Sequence, residues 1–198
     1  MTDAPAWQLL VLAGGQGSRM GGADKGLMPI AGQPAVRHLQ QRQHPPLLRV
    51  STNRHVADYQ LLGITPVPDR RPGFCGPLAG LEALLYAADD TPAVLVPCDM
   101  PWLPANLPVR LLSLLDARGT VVVAHDGEQL QPLCLAFYPA DWRDDLSRYL
   151  DDGRRSAQGW LADKPVRLCR FDHPEAFSNL NTTEQARSLA GADPGVLR

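Results

Sequence analysis

The chain has 198 residues, 44 % of them hydrophobic and 20 % charged, the size and composition of one globular domain that buries roughly 70 % of its unfolded surface without disulfide or metal staples. A formal charge of −2 offers no basic footprint for nucleic acid, and no apolar run approaches the ~20 residues of a membrane span, so neither partner is expected. Cys75, Cys98, Cys134 and Cys169 lie too far apart for a C-x-x-C metal or redox motif, and no signal-like segment opens the chain, so a reducing, cytoplasmic setting is expected.

In chain order, residues 7–12 (W-Q-L-L-V-L) form a short apolar run ending at glycines, which predicts a strand, then a glycine-rich loop, then a helix over 34–44. Residues 48–52 read as a second strand ending at Asn53, 54–62 as a helix stopped by Gly63, and 64–68 as a third strand ending at Asp69. After the turn-rich 70–76, a helix opens near Pro77 and runs to about Ala88. Residues 93–97 (A-V-L-V-P) then form a strand apolar on both faces that delivers Cys98-Asp99. Pro97 has no N–H to give to a ladder and belongs at that strand's last position.

Residues 106–118 predict a helix, and 120–125 and 130–138 are β-rich runs joined by Asp126-Gly127-Glu128, an antiparallel addition to the sheet. Helices at about 140–150 and 156–163, a strand over 166–171, a last helix after Thr182 capped with Gln185, and a frayed tail over 191–198 complete the pattern. Alternating strands and helices without a linker or repeat predict a single α/β domain over 1–198, three layers around a mostly parallel, mixed sheet. With no heptad and no long exposed apolar helix, a monomer is expected.

The loop from Leu12 to Gly26 holds six glycines with Arg19 and Lys25, the composition of a phosphate-wrapping loop: glycine lets backbone N–H groups converge on an anion, and the two cations offset its remaining charge. It is neither of two familiar loops. Met20 stands where the dinucleotide fingerprint needs its third glycine, and Ala23 and Leu27 stand where the Walker A loop needs lysine. A glycine-rich turn without ligand is the alternative, and Arg19 and Lys25 weigh against it. Ligands of such sheets collect outside the carboxyl ends of the strands, where Gly14, Asn53, Asp69 and Asp99 fall. Each taken singly also fits a turn or a helix cap. Asp99, carried there by a buried strand, suits Mg²⁺, which takes one or two carboxylates and completes its shell with water and phosphate oxygens. The five histidines lack metal-ligand spacing.

L-A-G-G-x-x-x-R-M-G-G-x-D-K-G from Leu12, P-G-F-C-G-P-L-A-G from Pro72, P-C-D-M-P from Pro97, H-D-G-E from His125 and N-L-N-T-T-E from Asn179 resemble the molybdenum cofactor guanylyltransferases across most of the chain. The first motif marks the wider nucleotidyltransferase superfamily, and D-K-G, G-P-L-A-G and N-x-N-T narrow it. The resemblance implies a Rossmann-like nucleotidyltransferase fold and transfer of GMP from GTP to molybdopterin, with Mg²⁺ as cofactor and pyrophosphate released. It implies that Leu12, Ala13 and Gly14 line base and ribose, that Lys25 holds phosphates, that Asn53 and Asp69 bind the nucleotide, and that Asp99 holds the metal. Arg19, Lys25 and Asp99 are the catalytic candidates. Asp69 is the candidate for reading guanine, since a carboxylate accepts from both N1–H and the 2-amino group.

Pro77, Leu78, Asn179 and Asn181 are candidates for the molybdopterin acceptor, and equally a helix start and a turn. Arg154 and Arg155 are either contacts for the acceptor phosphate or solvated loop residues. Phe74-Cys75 before Gly76 and the Gln16-Gly17 pair depart from the family pattern. The family also implies transient contacts with other molybdenum cofactor assembly proteins and recipient molybdoenzymes. A molybdopterin cytidylyltransferase and a non-catalytic nucleotide-binding accessory protein are the rival readings. Asp24-Lys25-Gly26 (D-K-G) and G-P-L-A-G argue against the first, and retention of Arg19, Lys25 and Asp99 against the second.

Overall fold

The computed structural model describes residues 7–14, 24–73 and 75–180. In chain order its strands are β1 (Gln8–Leu12), β2 (Pro29–Ile30), β3 (Gln33–Pro34), β4 (Leu48–Ser51), β5 (Thr65–Val67), β6 (Ala93–Pro97), β7 (Val121–His125), β8 (Leu130–Phe137) and β9 (Val166–Arg170). Seven of them make one sheet in the order β5-β4-β1-β6-β8-β7-β9, and β2 and β3 pair separately. Every pairing in the large sheet is parallel except those of β8, which runs against both β6 and β7. The predicted hairpin is therefore present, with its second strand inserted beside β6. β1 and β6 are buried at every position, which is why both read as unbroken apolar runs. Pro97 does close β6 opposite Leu12, and the ladder continues with the Cys98 N–H donating to the Leu12 carbonyl.

Helices α1 (Ala35–Gln43), α2 (Val56–Leu61), α3 (Pro77–Ala87), α4 (Leu107–Ser113), α5 (Pro139–Asp151) and α6 (Ala157–Leu161) cover the sheet on both sides. Leu9, Val11 and Ala13 face a core shared with Val36, Leu39, Tyr59, Leu107, Leu111 and Phe177. Leu10 and Leu12 face the other, with residues of α3, α5 and α6. Period-two alternation along β1 thus feeds two cores, giving the expected three layers. The helix expected over 106–118 ends at Ser113. Leu114 and Leu115 N–H groups already turn back three residues, to Leu111 and Leu112. Arg118 is drawn into ion pairs with Asp90 at 2.6 Å and Asp141 at 3.1 Å. Likewise α2 starts at Val56 because His55 takes a left-handed conformation. The helix expected after Thr182 and the frayed tail lie outside the described residues.

Two features fix α3 against the sheet. Its buried Glu82 receives Arg71 Nε at 2.8 Å, Arg71 Nη2 at 2.7 Å and Ser147 Oγ at 2.8 Å, tying the loop before α3 to α3 and α5. At Gly80 a Cβ would lie 2.4 Å from Ser51 Oγ, 3.2 Å from Ser51 Cβ and 3.1 Å from a Leu12 methyl. The last glycine of G-P-L-A-G therefore lets the helix approach β1 and β4. Gly80→Ala gains about 1 kcal/mol of helix propensity but overpacks a buried contact at a cost of about 1–3 kcal/mol. We expect a net loss of stability in urea unfolding; a more stable variant would show that Ser51 and Leu12 yield.

Candidate active site

The parallel strands β5, β4, β1 and β6 end together, so Asp69, Asn53, Gly14 and Asp99 emerge along one edge in spatial order. The parallel strand ends thus gather four residues from across the chain at the position where open α/β sheets take ligands. On one side of β1, Asn53 and Asp69 form a reciprocal pair. Asn53 Nδ2 donates to Asp69 Oδ2 at 2.8 Å, and the Asp69 N–H donates to Asn53 Oδ1 at 2.7 Å. Ser51 Oγ adds a longer bond to Asp69 Oδ1 at 3.4 Å. Asn53 is exposed and Asp69 half-buried, so the pair is reachable from solvent.

On the other side of β1, Lys25 Nζ donates to Asp99 Oδ2 at 2.9 Å. Lys25 opens a 3-10 turn, residues 25–27, whose cap is Asp24: its Oδ1 accepts the Gly26 N–H at 2.9 Å. Both members of the pair are partly exposed, with side-chain accessibilities of 35 % for Lys25 and 20 % for Asp99. Cys98, beside Asp99, is held far above the usual thiol range by burial and by the charges of Asp99 and Asp24. It stays protonated at neutral pH, which removes it as a nucleophile.

Between the two pairs, Gly14 is exposed, while Leu12 and Ala13 turn their side chains into opposite cores. Only their backbone is left for a ligand. The same holds for Leu78, whose side chain is fully buried, whereas Pro77 at the first position of α3 is exposed. Asn179 is brought to the Lys25–Asp99 side. The Leu180 N–H donates to the Asp99 carbonyl at 2.7 Å, and the Leu180 side chain packs with Met28, Ile30, Ala35 and Trp102 around the β2–β3 hairpin that follows Lys25. Arg154 lies over the Tyr149 ring and pairs with Asp152, and Arg155 donates to the Leu150 and Arg154 carbonyls. Arg19, Asn181, Phe74, Gln16 and Gly17 lie outside the described residues.

Asp24, named in the sequence only as part of D-K-G, is the residue that caps this turn. An aspartate directly before a helical turn is a capping signal. His125, Gly127 and Asp126 of H-D-G-E shape the β7–β8 turn. The Asp126 carboxylate accepts from the Glu128 and Gln129 N–H groups, each at 2.8 Å, and the Gly127 N–H donates to His125 Nδ1 at 3.1 Å.

A family described as MobA-like NTP transferase domain matches residues 9–168, which include both halves of this edge. A molybdenum cofactor guanylyltransferase of Cupriavidus pinatubonensis is 42 % identical over 188 residues, 90 % of this chain and 94 % of that protein. One from Shewanella putrefaciens is 37 % identical over 185 residues, 91 % of this chain and 94 % of that protein. Among solved structures, molybdopterin-guanine dinucleotide biosynthesis protein A from Archaeoglobus fulgidus superposes with a TM-score of 0.71 at 20 % identity, over 93 % of this chain and 98 % of its own. Matched by this family over residues 9–168, and 42 % and 37 % identical to these relatives over about nine-tenths of its length, this protein belongs to the molybdenum cofactor guanylyltransferase family of MobA-like NTP transferases.

Proposed function

We propose that the protein transfers GMP from GTP to molybdopterin, forming molybdopterin guanine dinucleotide and releasing pyrophosphate. The observation that carries this reading is the convergence of Lys25 and Asp99 at the carboxyl ends of β1 and β6, in a chain 42 % identical to a molybdenum cofactor guanylyltransferase.

The acceptor's terminal phosphate is already anionic at neutral pH. One of its oxygens attacks the α-phosphorus of GTP, the bond to the bridging oxygen breaks, and pyrophosphate leaves with that electron pair. No proton need be removed from the nucleophile, so the work is positioning and charge neutralisation. Lys25 holds the triphosphate, and Arg19 stabilises charge growing at the α-phosphate. Asn53 and Asp69 orient the nucleotide, with Asp69 accepting from guanine, and the backbone of Leu12, Ala13 and Gly14 lies along base and ribose. Pro77, the Leu78 backbone, Asn179 and Asn181 form the acceptor side.

Asp99 fits a hard cation: a partly exposed carboxylate at a strand end, one oxygen of which already faces a cation in Lys25. It would hold Mg²⁺, which supplies neutralisation of the phosphates when bound. The protein acts in the cytoplasm, as a monomer, with transient contacts to molybdenum cofactor assembly proteins and recipient molybdoenzymes.

Calorimetric titration with GTP and with CTP, each with Mg²⁺, tests the nucleotide half of this reading. Wild type is expected to prefer GTP, and Asp69→Asn to lose most of that preference. An unchanged preference removes Asp69 from base choice. A wild-type preference for CTP moves the protein to the cytidylyl reaction, and binding of neither nucleotide overturns the enzymatic reading.

A further inference from the structure

We infer that Tyr59 is a positioning residue for Lys25, acting through Asp24; the inference rests on the reading that Lys25 engages the nucleotide phosphates. Tyr59 lies on the short helix α2, fully buried, and its hydroxyl donates to Asp24 Oδ1 at 2.7 Å across 35 residues of sequence. The same oxygen accepts the Gly26 N–H. Thr52 Oγ, at the end of β4, lies 3.4 Å from Asp24 Oδ2. The carboxylate immediately before Lys25 is therefore held from α2, from β4 and from its own turn.

The residue immediately after Lys25 is held by contact. A Cβ on Gly26 would stand 2.2 Å from the Tyr59 hydroxyl and 3.0 Å from both Ala13 Cβ and a Val36 methyl. Tyr59 thus bears on both neighbours of Lys25, by hydrogen bond on one and by packing on the other. Burial and the Asp24 carboxylate both raise the Tyr59 pKa, so the group remains a phenol donor at neutral pH.

A core tyrosine needs some acceptor for its hydroxyl, and any nearby carbonyl would serve that need. Here the acceptor is the capping oxygen of the turn that carries the site's lysine. Lysine reaches its target through a flexible four-carbon stem. Fixing the backbone at its base limits the positions its ammonium samples and keeps it 2.9 Å from Asp99, and displacement on the scale of 1 Å is enough to cost turnover heavily.

The test is a double-variant cycle on full-length protein, with GMP transfer measured in Tyr59→Phe, Lys25→Ala and the combination. Tyr59→Phe is expected to lower kcat about 10-fold with KM for GTP changed less than about threefold. In the Lys25→Ala background the same substitution is expected to change kcat less than about twofold, because its effect passes through the lysine. A merely structural role lowers activity by the same factor in both backgrounds, and that result overturns the inference, as does wild-type kcat in Tyr59→Phe. Should Tyr59→Phe fail to fold by circular dichroism, Asp24→Ala, which removes the oxygen that accepts from both the Tyr59 hydroxyl and the Gly26 N–H, is put through the same cycle with the same two decisive outcomes. If Lys25→Ala alone retains wild-type turnover, the failure belongs to the phosphate role of Lys25 and not to its positioning.

Discussion

Lys25→Ala is expected to lower GMP transfer about 10²–10³-fold, the usual effect of deleting one preorganised charge donor from a phosphate-bearing site, while leaving the unfolding midpoint within a few degrees of wild type. The two halves of this result have separate causes. In the free protein the Lys25–Asp99 bond is short but partly solvated on both sides, and such pairs contribute about 0–1 kcal/mol to stability. On the proposed reading a bound triphosphate with its cation would part this pair, Lys25 then meeting phosphate oxygens and Asp99 the metal. The same ammonium would offset negative charge as pyrophosphate departs. Turnover and thermal melting of the same preparation check both halves. A loss of stability matching the loss of activity would make Lys25 a structural residue.

Arg71→Ala is expected to reduce stability by about 3 kcal/mol, the lower end of the range for removing one partner of a buried ion pair. Glu82 is only 2 % exposed, and Arg71 meets both of its oxygens in a bidentate geometry. Without the guanidinium, the described donor to this carboxylate is Ser147 Oγ, and the links from Arg71 to Asp151 and to the Ser147 carbonyl are lost as well. The lower end applies because the Arg71 side chain is itself 22 % exposed, so water recovers part of the loss. Urea unfolding reads the change as a shifted midpoint. The paired replacement Arg71→Met with Glu82→Leu should recover most of it, since an apolar pair leaves no buried charge. A loss below about 1 kcal/mol for Arg71→Ala would place this contact among ordinary surface pairs.

How much of this was legible in the sequence depended on whether local chemistry or chain path decided the feature. β1 and β6 were legible because strands buried on both faces read as unbroken apolar runs, and their ends carried Gly14 and Asp99 with them. The bond between Lys25 and Asp99 spans 74 residues; motif resemblance named both residues, but only the adjacency of β1 and β6 brings them together. The insertion of β8 between β6 and β7 was hidden, since a hairpin signal fixes pairing within the hairpin and not which strand faces the sheet. Leu78 reads as a site candidate or a helix start and Gly80 only as the last letter of the same motif, yet both are packed against the sheet, which shows only once α3 is docked. Tyr59 carried no signal at all: one tyrosine in a six-residue helix, its partner Asp24 far back in the chain. The end of α4 at Ser113 was missed because Arg118 is claimed by Asp90 and Asp141, contacts that no local propensity encodes.

The most direct measurement is product analysis after incubating the protein with molybdopterin, Mg²⁺ and either GTP or CTP, quantifying pyrophosphate and the pterin dinucleotide together. Pyrophosphate and molybdopterin guanine dinucleotide should form in equal amounts from GTP, with little product from CTP and none from Asp99→Ala. A cytosine dinucleotide in place of the guanine one, or GTP left intact beside molybdopterin, would contradict the guanylyl transfer assigned to this site.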